Sequence, residues 1–152
     1  MSELPVKIRR SGAEDVRVLD AIDQVCFPPD IAFSHDEIAS YLGHPKSIAW
    51  VAERAGTILG FVMTHVQDEL FTHVITLDVI PEARRQRIGT ALMNRMHKEL
   101  RRSGLNIFIL EVSVENSPAR KLYEQLQYEY LEKLPGYYHG RQDAWRMARF
   151  FK

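Results

Sequence analysis

Apolar residues recur along this chain with two periods, and the switches between them predict the elements. Val6 and Ile8 alternate with Lys7 and Arg9, which predicts a first strand over Val6–Arg9. Val16, Val18, Leu19, Ile22, Val25 and Cys26 then follow helical spacing over 13–26, and Phe27-Pro28-Pro29 breaks that helix. Ser34, with Glu37 three residues on, makes a capping box for a short helix ending at Leu42. The runs Ser47–Glu53 and Ile58–Val66, joined through an Ala55-Gly56 turn, predict an antiparallel pair. Phe71–Ile80 predicts the next strand, and Pro81, which has no N–H for a ladder, ends it. Ile88, Leu92, Met96 and Leu100 form one face of a helix that stops near Gly104. Asn106–Val114 predicts another strand. Pro118 suits a first helical turn, with Asn116 or Ser117 as the cap and Ala119, Leu122, Tyr123 and Leu126 as the apolar face. Tyr128–Lys133 and Ala144–Phe151 predict the last two strands. The order β-α-α-β-β-β-α-β-α-β-β predicts a mixed sheet flanked by helices.

Composition narrows the class. At 152 residues, 45% hydrophobic and 26% charged, the chain predicts one globular domain over 1–152 with room for a sizeable core. Lys plus Arg equals Asp plus Glu at 20 each, so a general nucleic-acid binder, with its basic excess, is not expected. Cys26 is the one cysteine, which excludes an intrachain disulfide and a thiolate metal cluster. His65, His73 and His97 lack metal-ligand spacing, so no metal is expected. Neither a signal-like segment nor a long apolar span is present, and the expectation is a cytoplasmic protein with no membrane partner. Met93, Met96 and Met147 read as core. Arg95, Lys98, Arg101 and Arg102 read either as a solvated helix face or as a dock for an acidic partner or ribosomal RNA.

Three stretches carry candidate chemistry. Between the strand ending at Pro81 and the helix from Ile88 lies a short basic loop, Arg84-Arg85-Gln86-Arg87-Ile88-Gly89. Free N–H groups at a helix start, the helix dipole and arginine charge together suit a phosphate or pyrophosphate. The loop is neither G-x-x-x-x-G-K-S/T nor G-x-G-x-x-G. From the residues alone it is equally a solvated helix start. Glu111 interrupts an apolar strand, Ile107-Phe-Ile-Leu-Glu-Val112. A carboxylate there is costly unless paired or functional, although alternation can also aim it at solvent or at an arginine. Tyr123 lies on an apolar helix face, where the ordinary role is a core tyrosine whose hydroxyl meets a water or a carbonyl.

These stretches resemble the GNAT superfamily of acetyl-CoA-dependent N-acetyltransferases. The family's pyrophosphate motif, Q/R-x-x-G-x-G/A, matches Arg84 to Gly89, with Arg87 standing where the first glycine falls. Leu110-Glu111-Val112, Asn116, Ala119 and Leu122–Tyr128 resemble a signature of the bacterial ribosomal-protein alanine N-acetyltransferases, with Gln127 in place of its glycine. Gly136-Tyr137-Tyr138, then Gly140 to Ala144 and Met147, resemble the tail of the same enzymes and of Nα-terminal acetyltransferases.

The resemblance implies a GNAT fold of class α/β (α+β). Its sheet is mixed, mostly antiparallel and splayed, of about seven strands flanked by about four helices. It implies acetyl-CoA as cosubstrate, bound through the backbone of Leu77, Asp78 and Val79, through Arg84, Arg85, Gln86, Arg87, Ile88, Gly89 and Thr90, and through Asn116 and Tyr123. It makes Glu111 the general base and Tyr123 the general acid for the leaving thiolate. Phe27, Pro28, His73, Tyr137 and Tyr138 would meet the acceptor, and His73 matches the position of a catalytic tyrosine in one eukaryotic branch. The implied acceptor is the α-amino group of a protein or peptide N-terminus, ribosomal proteins among them. The alternatives are an acetyltransferase for a small-molecule amine or polyamine and a non-catalytic acetyl-CoA-binding domain. Glu111 and Tyr123 present together argue against the latter.

Overall fold

The structure is a computed structural model that describes residues 4–152. Its elements are β1 (Lys7–Arg10), α1 (Val16–Cys26), α2 (His35–Gly43), β2 (Ser47–Arg54), β3 (Thr57–Gln67), β4 (Phe71–Val79), α3 (Ile88–Arg102), β5 (Ile107–Ser113), α4 (Ser117–Gln125), β6 (Glu129–Tyr138) and β7 (Gln142–Phe150). Short 3-10 turns at Ala13–Asp15 and Pro81–Ala83 precede α1 and the basic loop. The sequence period running back to 13 is therefore a tight turn that becomes α1 only at Val16.

The strands form one sheet in the order β1-β2-β3-β4-β5-β7-β6. All neighbours are antiparallel except β4 and β5. That parallel pair is also the shortest ladder, covering only Thr72↔Phe108, His73↔Ile109 and Val74↔Leu110. Beyond Val74 and Leu110 the two strands separate, and the sheet opens between them. A bulge accompanies the separation: Met63 faces Thr76 and Thr64 faces Val74, so Ile75 has no opposite residue. An extra residue in one strand raises the local twist and turns the strand away from its neighbour.

The sheet is packed on both faces. One core gathers Trp50, Val62, Leu92, Met93, Met96, Phe108, Leu110 and Met147 under α3 and α4. The other gathers Leu19, Ile22, Ile38, Val51, Phe61 and Met63 under α1 and α2. Each large side chain taken fully out of water contributes about 1.5–3 kcal/mol, so both layers hold the opened sheet in shape.

The Ser34 capping box forms as expected, with the hydroxyl accepting from Glu37 N–H at 3.1 Å and the Glu37 carboxylate accepting from Ser34 N–H at 2.9 Å. β6 corrects the expectation of a strand ending at Lys133, because it runs on through Pro135 to Tyr138. An edge strand tolerates proline, and β6 lies at the edge. Gly136 at φ +64 and a register shift between Leu134 and Tyr138 absorb the irregularity.

Candidate active site

The basic loop leaves β4 through the 3-10 turn and enters α3 at Ile88. Arg85 and Arg87 have φ of +66 and +61, while Gln86 between them does not have positive φ. Alternating hand of this kind curls successive N–H groups into a concave nest for an anion. Arginine at the glycine position therefore keeps the left-handed backbone, at a cost of roughly 1–2 kcal/mol. Arg87 is the N-cap of α3, and no side chain caps the helix there. The N–H groups of Ile88, Gly89 and Thr90 thus remain as the donors of a helix N-terminus. Gly89 sits close to α4: a Cβ there would come within 3.2 Å of Leu122. Arg85 and Arg87 are exposed. The other two polar side chains of the loop turn elsewhere. Arg84 Nε donates to the Val79 carbonyl at 3.0 Å, and Gln86 Oε1 accepts from Arg54 at 2.9 Å.

Along β4 the three expected backbone partners divide. Ile80 N–H bonds the Leu59 carbonyl on the β3 side, and Asp78 stands opposite Phe61 of β3. By alternation, Leu77 and Val79 point their backbone groups at the opening and Asp78 does not.

Glu111 is one residue beyond the last position of β5 that pairs with β4. Phe108, Leu110 and Val112 point into the α3–α4 core, so Glu111 faces the other side. Its side chain is only 6% exposed. His73 Nε2 lies 2.6 Å from Oε1, Arg146 Nε donates to Oε2 at 3.0 Å, and the Tyr137 hydroxyl donates to Oε1 at 3.2 Å. Burial pushes the carboxyl pKa up, but hydrogen bonds and charge from His73 and then Arg146 outweigh it, and the net direction is down. Glu111 is thus a dry carboxylate kept ionised by its neighbours. Arg146 stands directly opposite Glu111 in the β5–β7 register and also binds Glu132 at 2.6 Å. Sequence reading offered an unnamed arginine for Glu111; only strand register identifies Arg146.

Tyr123 lies on the other face of the sheet, buried in the α3–α4 core against Tyr128, with ring centroids 5.8 Å apart. Burial raises its hydroxyl far above the ordinary tyrosine value, so the group keeps its proton. Asn116 caps α4, its side-chain oxygen accepting from Ala119 N–H at 3.2 Å, which decides between Asn116 and Ser117.

The aromatic segments converge on Glu111. Tyr137 and Tyr138 belong to the end of β6 and not to a separate loop; their rings meet edge to face at 4.9 Å. Burial, then the Glu111 charge, pushes the Tyr137 hydroxyl up to about 12. Phe27 ends α1, and Pro28 accepts through its carbonyl from Ile31 and Ala32 N–H, which makes 27–34 a compact loop. Gln142 of β7 donates to Asp30 in that loop at 3.4 Å and accepts from Ser113 of β5 at 2.6 Å. The loop is therefore strung across the sheet toward the end of β5. Tyr41, whose hydroxyl is raised by burial and by the charges of Glu37 and Glu111, joins the same wall.

The remaining sequence candidates have ordinary roles. Cys26 is a free, half-buried thiol, its Sγ 3.3 Å from the Val79 carbonyl oxygen. His97 is buried against Tyr128 at 2.7 Å, and burial lowers its pKa to about 4. Of the basic face of α3, Arg95 pairs with Glu99 and Arg101 covers the ring of Phe151 at 4.1 Å. No helix among the described residues is long and apolar enough to cross a membrane.

Residues 16–128 match the model of the acetyltransferase (GNAT) family. An N-alpha-acetyltransferase of Saccharolobus solfataricus is 38% identical over 93% of this chain and 91% of its own. One from Sulfurisphaera tokodaii is 29% identical over the same shares. Among solved structures, the ribosomal-protein-S18-alanine N-acetyltransferase of Escherichia coli superposes with a TM-score of 0.87 at 26% identity, over 96% of this chain and 94% of that one. Ard1 of Thermoplasma volcanium superposes with a TM-score of 0.88 at 23% identity, over 97% and 98%. The chain belongs to the acetyltransferase (GNAT) family and is an N-acetyltransferase.

Proposed function

We propose that this enzyme acetylates the α-amino group of a protein or peptide N-terminus. The observation that carries the reading is the buried Glu111 carboxylate, held by His73, Arg146 and Tyr137 where β4 and β5 part. An amine can approach it from the α1–α2 face, between the 27–34 loop and the Tyr137–Tyr138 end of β6. The N-alpha-acetyltransferases to which the chain is similar support this choice of acceptor.

The residues fit the cosubstrate that the family uses. The open N–H groups of Ile88 to Thr90 and the nest at Arg85–Arg87 suit its pyrophosphate, and the β4 edge at Leu77 and Val79 suits its amide-bearing arm. Acetyl-CoA supplies the activated acetyl group as a thioester. Every other task falls to this chain. Glu111, with His73 against it, accepts the proton of the acceptor ammonium, and the exposed edge of His73 hands it toward solvent. An N–H of Leu77 or Val79 donates to the carbonyl oxygen as it gains negative charge. Tyr123, from the opposite face, keeps its proton until the thiolate leaves, then donates it and is reprotonated by the second proton that the amine nitrogen gives up as the amide forms.

The test is a peptide panel. Free-amine peptides should release thiol from acetyl-CoA. The same peptides with a blocked N-terminus and an internal lysine should not. Preferential turnover of spermidine, or of the blocked peptides, would overturn the proposal.

A further inference from the structure

Two carboxyls that the mechanism does not use meet in the dry layer between α1 and β4. Asp23 of α1 is 0% exposed and Asp78 of β4 is 1% exposed. Here α1 packs on β4, with Cys26 Sγ 3.3 Å from the Val79 carbonyl oxygen, and each carboxyl acts on the other's titration. Asp23 Oδ2 accepts from Phe33 N–H at 2.7 Å, and Asp78 Oδ1 accepts from the Thr76 hydroxyl at 2.5 Å. The other oxygen of each, Asp23 Oδ1 and Asp78 Oδ2, is buried without a donor. Two full charges facing each other there would be costly, and a buried acceptor without a donor adds to the cost. A single proton between these two oxygens removes both penalties.

The place of the pair in the fold gives it a task. Asp78 sits between Leu77 and Val79, whose backbone lines the opening between β4 and β5. Asp23 holds the Phe33 amide at the far end of the 27–34 loop, and Gln24 of α1 bonds the Phe33 carbonyl at 2.6 Å. We propose that Asp23 and Asp78 share one proton and are positioning residues, fastening the acceptor loop to the strand that receives the cosubstrate. The word acceptor rests on the function proposed above; the shared proton does not.

The groups that face the pair are Asp20 and Cys26 of α1, Glu37 of α2, Thr76 of β4 and Arg84 of the basic loop, and Tyr123 of α4 feels the charge of Asp78 from the other face of the sheet. Arg84 is the one cation among them, and its Nε is engaged with Val79. Burial raises both carboxyls above their ordinary range. For an acid raised on folding, the stabilising contribution is complete below the unfolded value, about 4 for a carboxyl. It is lost as pH rises through the folded value. Loss of the shared proton sets two charges against each other, drives α1 from β4 and frees Phe33.

Asp23→Asn tests this directly. The amide oxygen of the variant accepts from Phe33 N–H and its NH₂ donates to Asp78, so the link needs no shared proton. The expected result is a folded enzyme whose Tm declines less than the wild type's as pH rises from about 4 through neutral to alkaline values. Over that range the wild-type KM for peptide should rise severalfold relative to the KM for acetyl-CoA, and the variant's should stay level. Asp23→Ala, which leaves Asp78 and Phe33 unpartnered, should lower Tm and raise the peptide KM already at neutral pH. Equal pH slopes of Tm in wild type and Asp23→Asn, or carboxyl carbon NMR showing both groups ionised at neutral pH, would overturn the shared proton. A flattened Tm slope with no change in peptide KM would overturn the positioning of the acceptor loop and leave the shared proton standing.

Discussion

His73 Nε2 lies 2.6 Å from Glu111 Oε1, and the contact spans the place where β4 and β5 stop pairing. His73 is the middle residue of the short parallel ladder, and Glu111 follows its last member. The pair thus bridges the root of the opening, with Glu111 at 6% and His73 at 28% side-chain exposure. In the proposed mechanism, a dry carboxylate tied to a wetter imidazole gives a proton a route from a closed site to solvent.

Removing the base is the first test of that route. Glu111→Gln keeps the shape and loses the charge, and should lower kcat by about 10²–10⁴-fold, the usual range for general acid–base catalysis. His73→Phe should cost less, because Glu111 remains. The double variant should be little worse than Glu111→Gln alone, as expected for groups that act as a unit. Strict additivity in single-turnover rates would separate the two residues.

In the proposed mechanism Arg146 helps set the pH at which Glu111 works as the base. Burial raises the Glu111 pKa, and His73 and Arg146 bring it down. In Arg146→Met one of the two opposing influences is gone. The acid limb of the kcat/KM profile should therefore move to higher pH. The stability sign follows from linkage. A carboxyl lowered on folding stabilises above its unfolded value, about 4.3 for glutamate, and that gain is lost as pH falls through the folded value. Arg146→Met should lower Tm most at neutral pH, and the gap to wild type should narrow on acidification. A Tm difference that grows toward acid would contradict the ion pair.

The left-handed arginines predict a split between backbone and side chain. Arg87→Gly relieves the strain at φ +61 and should raise stability by about 1 kcal/mol. Protection against heat by acetyl-CoA should survive in this variant, because the N-terminal N–H groups of α3 are unchanged. Arg85→Ala should weaken that protection through loss of charge. If acetate protects the wild type as well as acetyl-CoA does, the loop is not a pyrophosphate site.

The fold was legible in the sequence to the extent that it rests on local pattern. The β-branched strand run at Phe71–Ile80, the Ile88–Leu100 stripe and the Ser34–Glu37 box are each decided within a few residues, and each forms. Distant contacts were not legible. Arg146 becomes a partner of Glu111 only through the β5–β7 register, and Asp23 and Asp78 become a pair only through packing of α1 on β4. From sequence Asp23 had no role and Asp78 only a backbone one, although each is a carboxylate set within an apolar stretch. The strand end at Tyr138 was hidden by Pro135 and Gly136, residues that break most strands and are accommodated at this edge.

Acceptor choice is the last test. An α-amine has a pKa of about 7.7–8.0 and a lysine side chain about 10.4, so at neutral pH roughly a tenth of α-amines are already neutral, against fewer than about a thousandth of lysines. Glu111, ionised and lowered, is a modest base, and a modest base suits the weaker acid poorly and the α-ammonium well. In the proposed acceptor groove, Tyr138, half-buried and in edge-to-face contact with Tyr137, would offer a ring for the first side chains of a peptide and a hydroxyl for its backbone. Tyr138→Ala should raise the peptide KM strongly while the acetyl-CoA KM stays put. Tyr138→Phe, which keeps the ring, should recover most of the loss. An equal rise in both KM values would place Tyr138 in the structure of the site at large and not in the acceptor groove.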